Sequence, residues 1–179
     1  MIHFVYSGEF RTFADCFANH VKTFGAPHSM TWNDEPFEEF NIEIPVEKRA
    51  GETYPNNVLR MWKRRQVAAM RMIERIGPDD IVVFLRPDIL INNQIILQTL
   101  DIHSNKIFIP SENDYRDGIN DQMCIGSKAN TFIWASIFNH WEDYYNEGVL
   151  FHSETMLKHH LKAQGIEVVR LPQTNSIVR

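Results

Sequence analysis

Four short stretches set charged or hydroxyl-bearing residues where apolar runs end, and their types suggest recognition of a phosphate and a sugar. In Arg86-Pro87-Asp88, directly after the run Ile81–Leu85, the proline cannot donate to a sheet ladder, so pairing stops and the chain turns outward. Arg86 and Asp88 then emerge together. They can pair with each other, or Arg86 can neutralise a phosphate while Asp88 holds a divalent metal or a ribose hydroxyl. In SGEFR, Ser7-Gly8 follows another apolar run; the glycine lets backbone approach a ligand, and Arg11 can clamp a diphosphate through two nitrogens. A plain turn with a surface arginine is the alternative. Neither a G-K-S/T loop nor G-x-G-x-x-G is present there.

The third stretch, ENDYRDGINDQ, holds Glu112, Asp114, Arg116, Asp117 and Asp121. Its aspartate spacing departs from a calcium-binding EF-hand loop. A general base or an acceptor for paired sugar hydroxyls is expected instead, with Asp121 the foremost candidate because apolar sequence resumes beside it; a solvated acidic loop is the alternative. In FHSE, His152 and Glu154 flank Ser153, which is expected to cap a helix whose first turn favours Glu154. His159 and His160 are adjacent, cannot form an i,i+4 metal pair, and read as surface residues. The run Lys63 to Arg65, with Arg71, reads as the solvated face of a long helix, and Arg60 lies close enough to the helix start to reach the site.

Positioning these residues requires alternating strands and helices. Strands are expected at 2–6, 29–33, 81–85, 106–110 and 166–171, with 123–127 as an edge strand. Helices are expected at 12–24, 58–76 with an asparagine of Pro55-Asn56-Asn57 as N-cap, 93–100, 129–145 and 153–164. The stretch DEPFEEF reads as an acidic loop and IEIPVE as extended. No internal repeat or linker divides residues 1–179, so one α/β domain follows: a three-layer sandwich around a mostly parallel sheet. Ligands then gather at the carboxyl ends of the strands, which directs attention to the loops after Tyr6, Trp32, Leu85 and Pro110.

Composition narrows the function. Apolar residues make up 44% and charged residues 23% of 179, as in an ordinary folded domain. A net charge of −5 argues against broad nucleic-acid or anionic-membrane binding. The two cysteines, Cys16 and Cys124, form no Cys-x-x-Cys pattern and suit a reducing cytoplasm. No apolar stretch approaches a membrane span, and no charged leader precedes the first strand.

The order SGEFRTFADCFANH, TWND, NNVLRMWKRRQVA, IVVFLRPDILI, DGINDQMCIGSKANTF and HSETMLKHHL resembles small glycosyltransferase-like proteins of the GT-A type, along nearly the whole chain. In these nucleotide-sugar enzymes of glycan and polysaccharide assembly, an R-x-D motif follows the central strand where others carry D-x-D. The resemblance implies that Ser7, Gly8, Arg11 and Arg60 line a nucleotide pocket, with Arg86 and Asp88 at the diphosphate and sugar. It implies that Asp121 faces the transferred sugar or the acceptor and that His152 and Glu154 close the site; an inverting enzyme needs a catalytic base, with Asp121 the first choice and Glu154 the second, whereas a retaining enzyme needs none so placed. A nucleotide sugar is the expected donor, a UDP-sugar foremost, and a glycan or other hydroxyl compound the acceptor. Mg²⁺ or Mn²⁺ at Asp88, with His152 as a further ligand, is the cofactor expectation, although one carboxylate stands where D-x-D supplies two. The short chain leaves an open acceptor site or one completed by a partner, a second copy included. A catalytically inactive nucleotide-sugar or glycan binding module of the same fold is the alternative function.

Overall fold

The computed structural model describes residues 1–8, 10–33, 40, 42–49, 54–172 and 175–178. All but the last residue of the expected acidic loop DEPFEEF lie outside the described residues. The described strands are β1 (Ile2–Ser7), β2 (Ser29–Asn33), β3 (Ile81–Leu85), β4 (Ile89–Ile91), β5 (Lys106–Pro110), β6 (Met123–Ser127), β7 (Glu167–Leu171) and β8 (Asn175–Ile177). Six form one sheet in the order β2-β1-β3-β6-β5-β7, while β4 and β8 pair separately and antiparallel. Pairings β1/β2, β1/β3 and β5/β7 are parallel; β6 runs against both β3 and β5. The carboxyl ends of β1, β2, β3, β5 and β7 therefore share one edge with the amino end of β6.

Strand residues alternate between two cores, as a period of two requires. Val5, Val82, Phe84, Ile107, Ile109 and Cys124 face α2 (Pro55–Ile73), α3 (Lys128–Ala135), α4 (Trp141–Asn146) and α5 (Ser153–Ala163), through Leu59, Trp62, Trp134, Trp141 and Leu157. Phe4, Tyr6, Val83, Leu85, Phe108, Met123 and Ile125 face the opposite layer, where α1 (Phe13–Phe24) contributes Phe13, Phe17, Val21 and Phe24. The three-layer, mostly parallel sandwich is thus the architecture.

Several local expectations change. The segment 123–127 is no edge strand: β6 lies between β3 and β5, and Met123 to Gly126 are buried. The helix expected over 129–145 breaks at a 3₁₀ turn, Ser136–Asn139, where the Ser136 hydroxyl donates to the Ile133 carbonyl at 2.8 Å and competes with the helical ladder. Residues 93–100 form only a 3₁₀ turn at Leu97–Thr99, and IEIPVE contains another at Val46–Lys48. Helix α2 starts at Pro55, whose missing N–H costs nothing in a first turn, and ends at Ile73. Tyr54 takes the N-cap position, while Asn56 Oδ1 accepts from the Ile42 N–H at 3.3 Å.

Two surface expectations fail through packing. Arg65 is 2% exposed, with its guanidinium carbon 4.1 Å from the Trp134 ring centre. His160 is fully buried on the inner side of α5, bonded to the Tyr144 hydroxyl at 2.9 Å and the Ile133 carbonyl at 2.7 Å. Burial lowers its pKa to about 4, so the ring is neutral. Cys16 and Cys124 are buried free thiols, and no described helix is long and apolar enough to cross a membrane.

Candidate active site

The turn after β1 and the segment after β3 pack on each other at the carboxyl edge. Gly8 has φ +138°, a conformation side chains rarely adopt, and an added Cβ would lie 3.2 Å from Pro87 Cδ. Its N–H donates to the Asn33 carbonyl at 3.3 Å, which ties the turn to the end of β2. Helix α2 crosses above with Asn57, Arg60, Met61 and Arg64 at i, i+3, i+4 and i+7, a single helical face. Between them lies a cleft of about 370 Å³ lined by that face together with Ser7, Gly8 and Arg86 to Asp88. Arg11 is exposed and is not among the lining residues.

Within this lobe Arg86 and Asp88 form a fork: Arg86 Nε donates to Oδ1 at 3.0 Å and Nη2 to Oδ2 at 2.7 Å. Of the alternatives open for Arg86-Pro87-Asp88, mutual pairing is the arrangement observed. Burial works against the Arg86 charge, but Asp88 and then Asp121 outweigh it and raise its pKa. The Arg86 N–H also donates to the Gln122 carbonyl at 3.0 Å, which carries the β3/β6 ladder one step past the strands and brings Asp121 alongside.

A second lobe of about 320 Å³ adjoins the first. It shares Asn57, Met61 and Arg86 and adds Tyr115, Asp121, His152 and Glu154. Asp121 is held from below by buried Arg65, whose Nη2 donates to the Asp121 carbonyl at 2.8 Å and lies 3.5 Å from Oδ2. Burial lowers the Arg65 pKa, and the Asp121 charge offsets part of that loss. Asp121 and Arg65 each keep one buried polar atom, Oδ2 and Nη1, without a hydrogen bond.

Glu154 is 8% exposed, and Oε2 accepts the Tyr115 N–H. Burial first, then the charges of Asp121 and Asp114, push its pKa up to about 7 against the pull of the Tyr115 N–H and Arg170. The loop before β6 sits directly on the first turn of α5. A Cβ on Gly118 would come within 2.6 Å of Glu154 Cβ, so only hydrogen fits, and the Ile119 N–H donates to the Glu154 carbonyl at 3.3 Å. His152, not Ser153, caps α5, since its Nδ1 accepts the Glu154 N–H at 3.3 Å. Its ring stacks on Tyr115 at 4.6 Å, and burial lowers its pKa, opposed by Asp121.

Of the other two aspartates, Asp114 holds the loop through its side chain and Asp117 through its backbone. Asp114 Oδ1 accepts from the Asn120 N–H at 2.7 Å and from Arg170 Nη2 at 2.5 Å, and the Asp117 carbonyl accepts from Lys158 at 2.7 Å. Only Asp121 of the three aspartates lines the cleft. Asn57, Arg64 and Tyr115 escaped the sequence reading. Arg64 was within reach of it, being four residues past Arg60 and so on the same helical face.

A divalent cation fits the described side chains poorly. Both Asp88 oxygens are engaged by Arg86, and Asp88 and His152 line different lobes. With His152 Nδ1 accepting a backbone N–H, the proton of the neutral ring sits on Nε2, which leaves no lone pair there for a metal. Among the described residues no three His, Cys, Asp or Glu side chains converge as a donor set.

No protein-family profile and no curated protein matches the sequence. The fold, however, matches solved glycosyltransferases. One is a glycosyltransferase involved in the glycosylation of the major capsid of PBCV-1, with TM-score 0.58 and 14% identity over 95% of this chain and 80% of that one. Another is the galactosyltransferase LgtC in complex with donor and acceptor sugar analogues, with TM-score 0.54 and 12% identity over 94% of this chain and 73% of that one. The GT-A-like architecture implied by the sequence resemblance is therefore the fold of this chain.

Proposed function

We propose that the protein is a glycosyltransferase that moves a sugar from a nucleotide-sugar donor to a hydroxyl group of a glycan or other acceptor. The observation carrying this reading is the two-lobed cleft at the strand ends, with arginines on one side and two adjoining carboxylates on the other, in a fold shared with glycosyltransferases. Ser7, Gly8, Arg60 and Arg86 bind the donor, and Asp88 keeps the Arg86 fork aimed along the cleft. A UDP-sugar is the first donor to test. The buried free cysteines agree with a cytoplasmic setting.

The reaction is a displacement at the anomeric carbon. The acceptor oxygen forms a bond to that carbon as the bond to the donor phosphate oxygen breaks, and the electron pair leaves with the nucleotide. Arginine side chains stabilise the negative charge that develops there. The acceptor proton passes to a carboxylate. We assign this role to Glu154, whose pKa of about 7 suits proton transfer near neutral pH, and assign Asp121 to accept a hydrogen bond from a sugar or acceptor hydroxyl. This reverses the order of preference drawn from sequence. Tyr115, exposed and stacked on His152, offers a flat face for an acceptor sugar. Because the described donor set does not fit a divalent ion, no step runs through one.

A thermal-shift screen of UDP-, GDP-, dTDP- and CMP-linked sugars, with and without Mn²⁺, tests donor binding. A cognate donor at about a hundred times its Kd adds about 2.7 kcal/mol, a rise of roughly 5–10 °C for a chain of this size. If no nucleotide sugar moves the melting temperature, the reading fails. Binding without turnover is the outcome expected of an inactive module, which the single carboxylate of Arg86-Pro87-Asp88 permits.

A further inference from the structure

Building on the donor assignment above, we infer that His20, fully buried in α1, sets the spacing of the two turns that bound the donor lobe, by bonding at once to Tyr6, beside Ser7-Gly8, and to Ile89, beside Asp88. The β1/β3 ladder runs as far as the pair Tyr6 and Leu85. Beyond it lie Ser7-Gly8 and Arg86-Pro87-Asp88, which line the first lobe and pack so closely that a Cβ on Gly8 would lie 3.2 Å from Pro87 Cδ. At that separation a small shift of either turn changes the fit for a ligand, so the turns must be held from behind. His20 does this from the α1 layer. Its Nδ1 lies 3.0 Å from the Tyr6 hydroxyl and its Nε2 2.7 Å from the Ile89 carbonyl oxygen. A carbonyl only accepts, so Nε2 carries the proton. Burial lowers the pKa of the ring, opposed by that carbonyl, and Nδ1 of the neutral ring then accepts the Tyr6 O–H. Each ring nitrogen serves one turn.

The short strand β4, which starts directly after Asp88, carries the link into the site. Successive carbonyls of a strand point to opposite sides. That of Asp88 accepts the Val178 N–H at 2.8 Å, on the side of β8. Those of Ile89 and Ile91 face α1, where His20 donates to the first and Asn19 Nδ2 to the second at 2.9 Å, while Asn19 Oδ1 accepts the Ile91 N–H at 2.7 Å. Two neighbouring side chains of α1 thus take the place of a partner strand and satisfy backbone groups that are costly to bury unpaired. Asn19 holds β4 alone, whereas His20 joins β4 to β1. Tyr6 is fixed in turn, its ring edge-on to Phe13 at 4.9 Å and stacked on His20 at 5.7 Å. His20 touches no donor atom and acts through the turns that it holds.

The test is calorimetric titration of the full chain with UDP, GDP, dTDP and CMP, with and without Mn²⁺, on wild type and on variants whose folding is verified by circular dichroism melts. Tyr6→Phe, which deletes one oxygen, is expected to weaken the best-bound nucleotide at least about threefold, and His20→Leu, which deletes both bonds, at least about tenfold. His20→Gln recovers part of the loss, since its amide can donate to the Ile89 carbonyl. Leu97→Val, a buried change in the same core outside the network, is expected to lower the melting temperature and to leave affinity within about twofold of wild type. In ¹⁵N NMR the wild-type His20 ring is expected as the Nε2–H tautomer. Wild-type affinity in Tyr6→Phe overturns the inference and leaves the glycosyltransferase reading standing. An equal loss in Leu97→Val does the same, because the effect is then a general loosening of the core, and an Nδ1–H tautomer contradicts the bond directions. Failure of every nucleotide to bind the wild type removes the donor assignment and the positioning role together.

Discussion

The two lobes of the cleft are built from the same pairing, an arginine against an aspartate, set at different depths. In the basic lobe the Arg86 and Asp88 side chains keep 33% and 23% of their surface exposed and meet as a fork. In the acidic lobe Arg65 and Asp121 are 2% and 7% exposed, and the guanidinium lies against Trp134. Depth decides what each pair does. A partly exposed pair opens more readily and can trade partners with a ligand, whereas a buried pair is costly to break and fixes its carboxylate in place. The outer pair thus suits recognition of an incoming charged donor, and the inner pair suits positioning beside Glu154, the proposed proton acceptor.

The largest expected effect breaks the acidic lobe at its chemistry. Glu154→Gln should lower kcat by about 10² to 10⁴ with donor affinity unchanged, as steady-state kinetics and calorimetry will read. Asp121→Asn should cost less; if it costs more, the roles of the two carboxylates are exchanged. Next comes the contrast between the pairs. Arg65→Ala leaves a buried carboxylate uncompensated and should destabilise the protein by about 3–5 kcal/mol in urea unfolding. Arg86→Ala should cost about 0–1 kcal/mol in stability while weakening donor binding, so equal stability losses would erase the distinction. Gly118→Ala drives a Cβ against Glu154, 2.6 Å from its Cβ, and should cost about 1–3 kcal/mol together with a fall in kcat.

The mildest effect is on pH. Glu154 rises from its ordinary 4.5 to about 7 on folding, so the folded state binds the extra proton. Its contribution to stability is present below about 4.5 and is lost as pH climbs to about 7. Glu154→Gln should flatten that part of the stability profile. In the intact protein, kcat should rise with pH through the same upper value as the carboxylate forms.

Much of the cleft was legible because its residues follow signals that act locally. A proline ends β3 and exposes its flanking charges, a glycine ends β1, and the i, i+3, i+4 spacing of α2 brings Arg60 into reach. The fate of Arg65 was not legible, since a charged residue within a basic run reads as solvated until Trp134 and Asp121 close over it from elements 56 and more residues away. The central place of β6 was hidden for a related reason: five residues with a glycine carry little strand signal, and their neighbours are chosen by topology. Strand β8 pairs with β4 across a separation no short-range pattern encodes. The capping by His152 turned on a ring nitrogen doing what a serine hydroxyl was expected to do.

The most direct measurement is release of free nucleoside diphosphate from the nucleotide sugar that binds, followed with the wild-type protein and a panel of acceptor glycans. Glycosyl transfer predicts steady release that an acceptor accelerates and Glu154→Gln suppresses. A donor that binds tightly and stays intact with every acceptor would contradict the catalytic assignment and make the cleft a binding site alone.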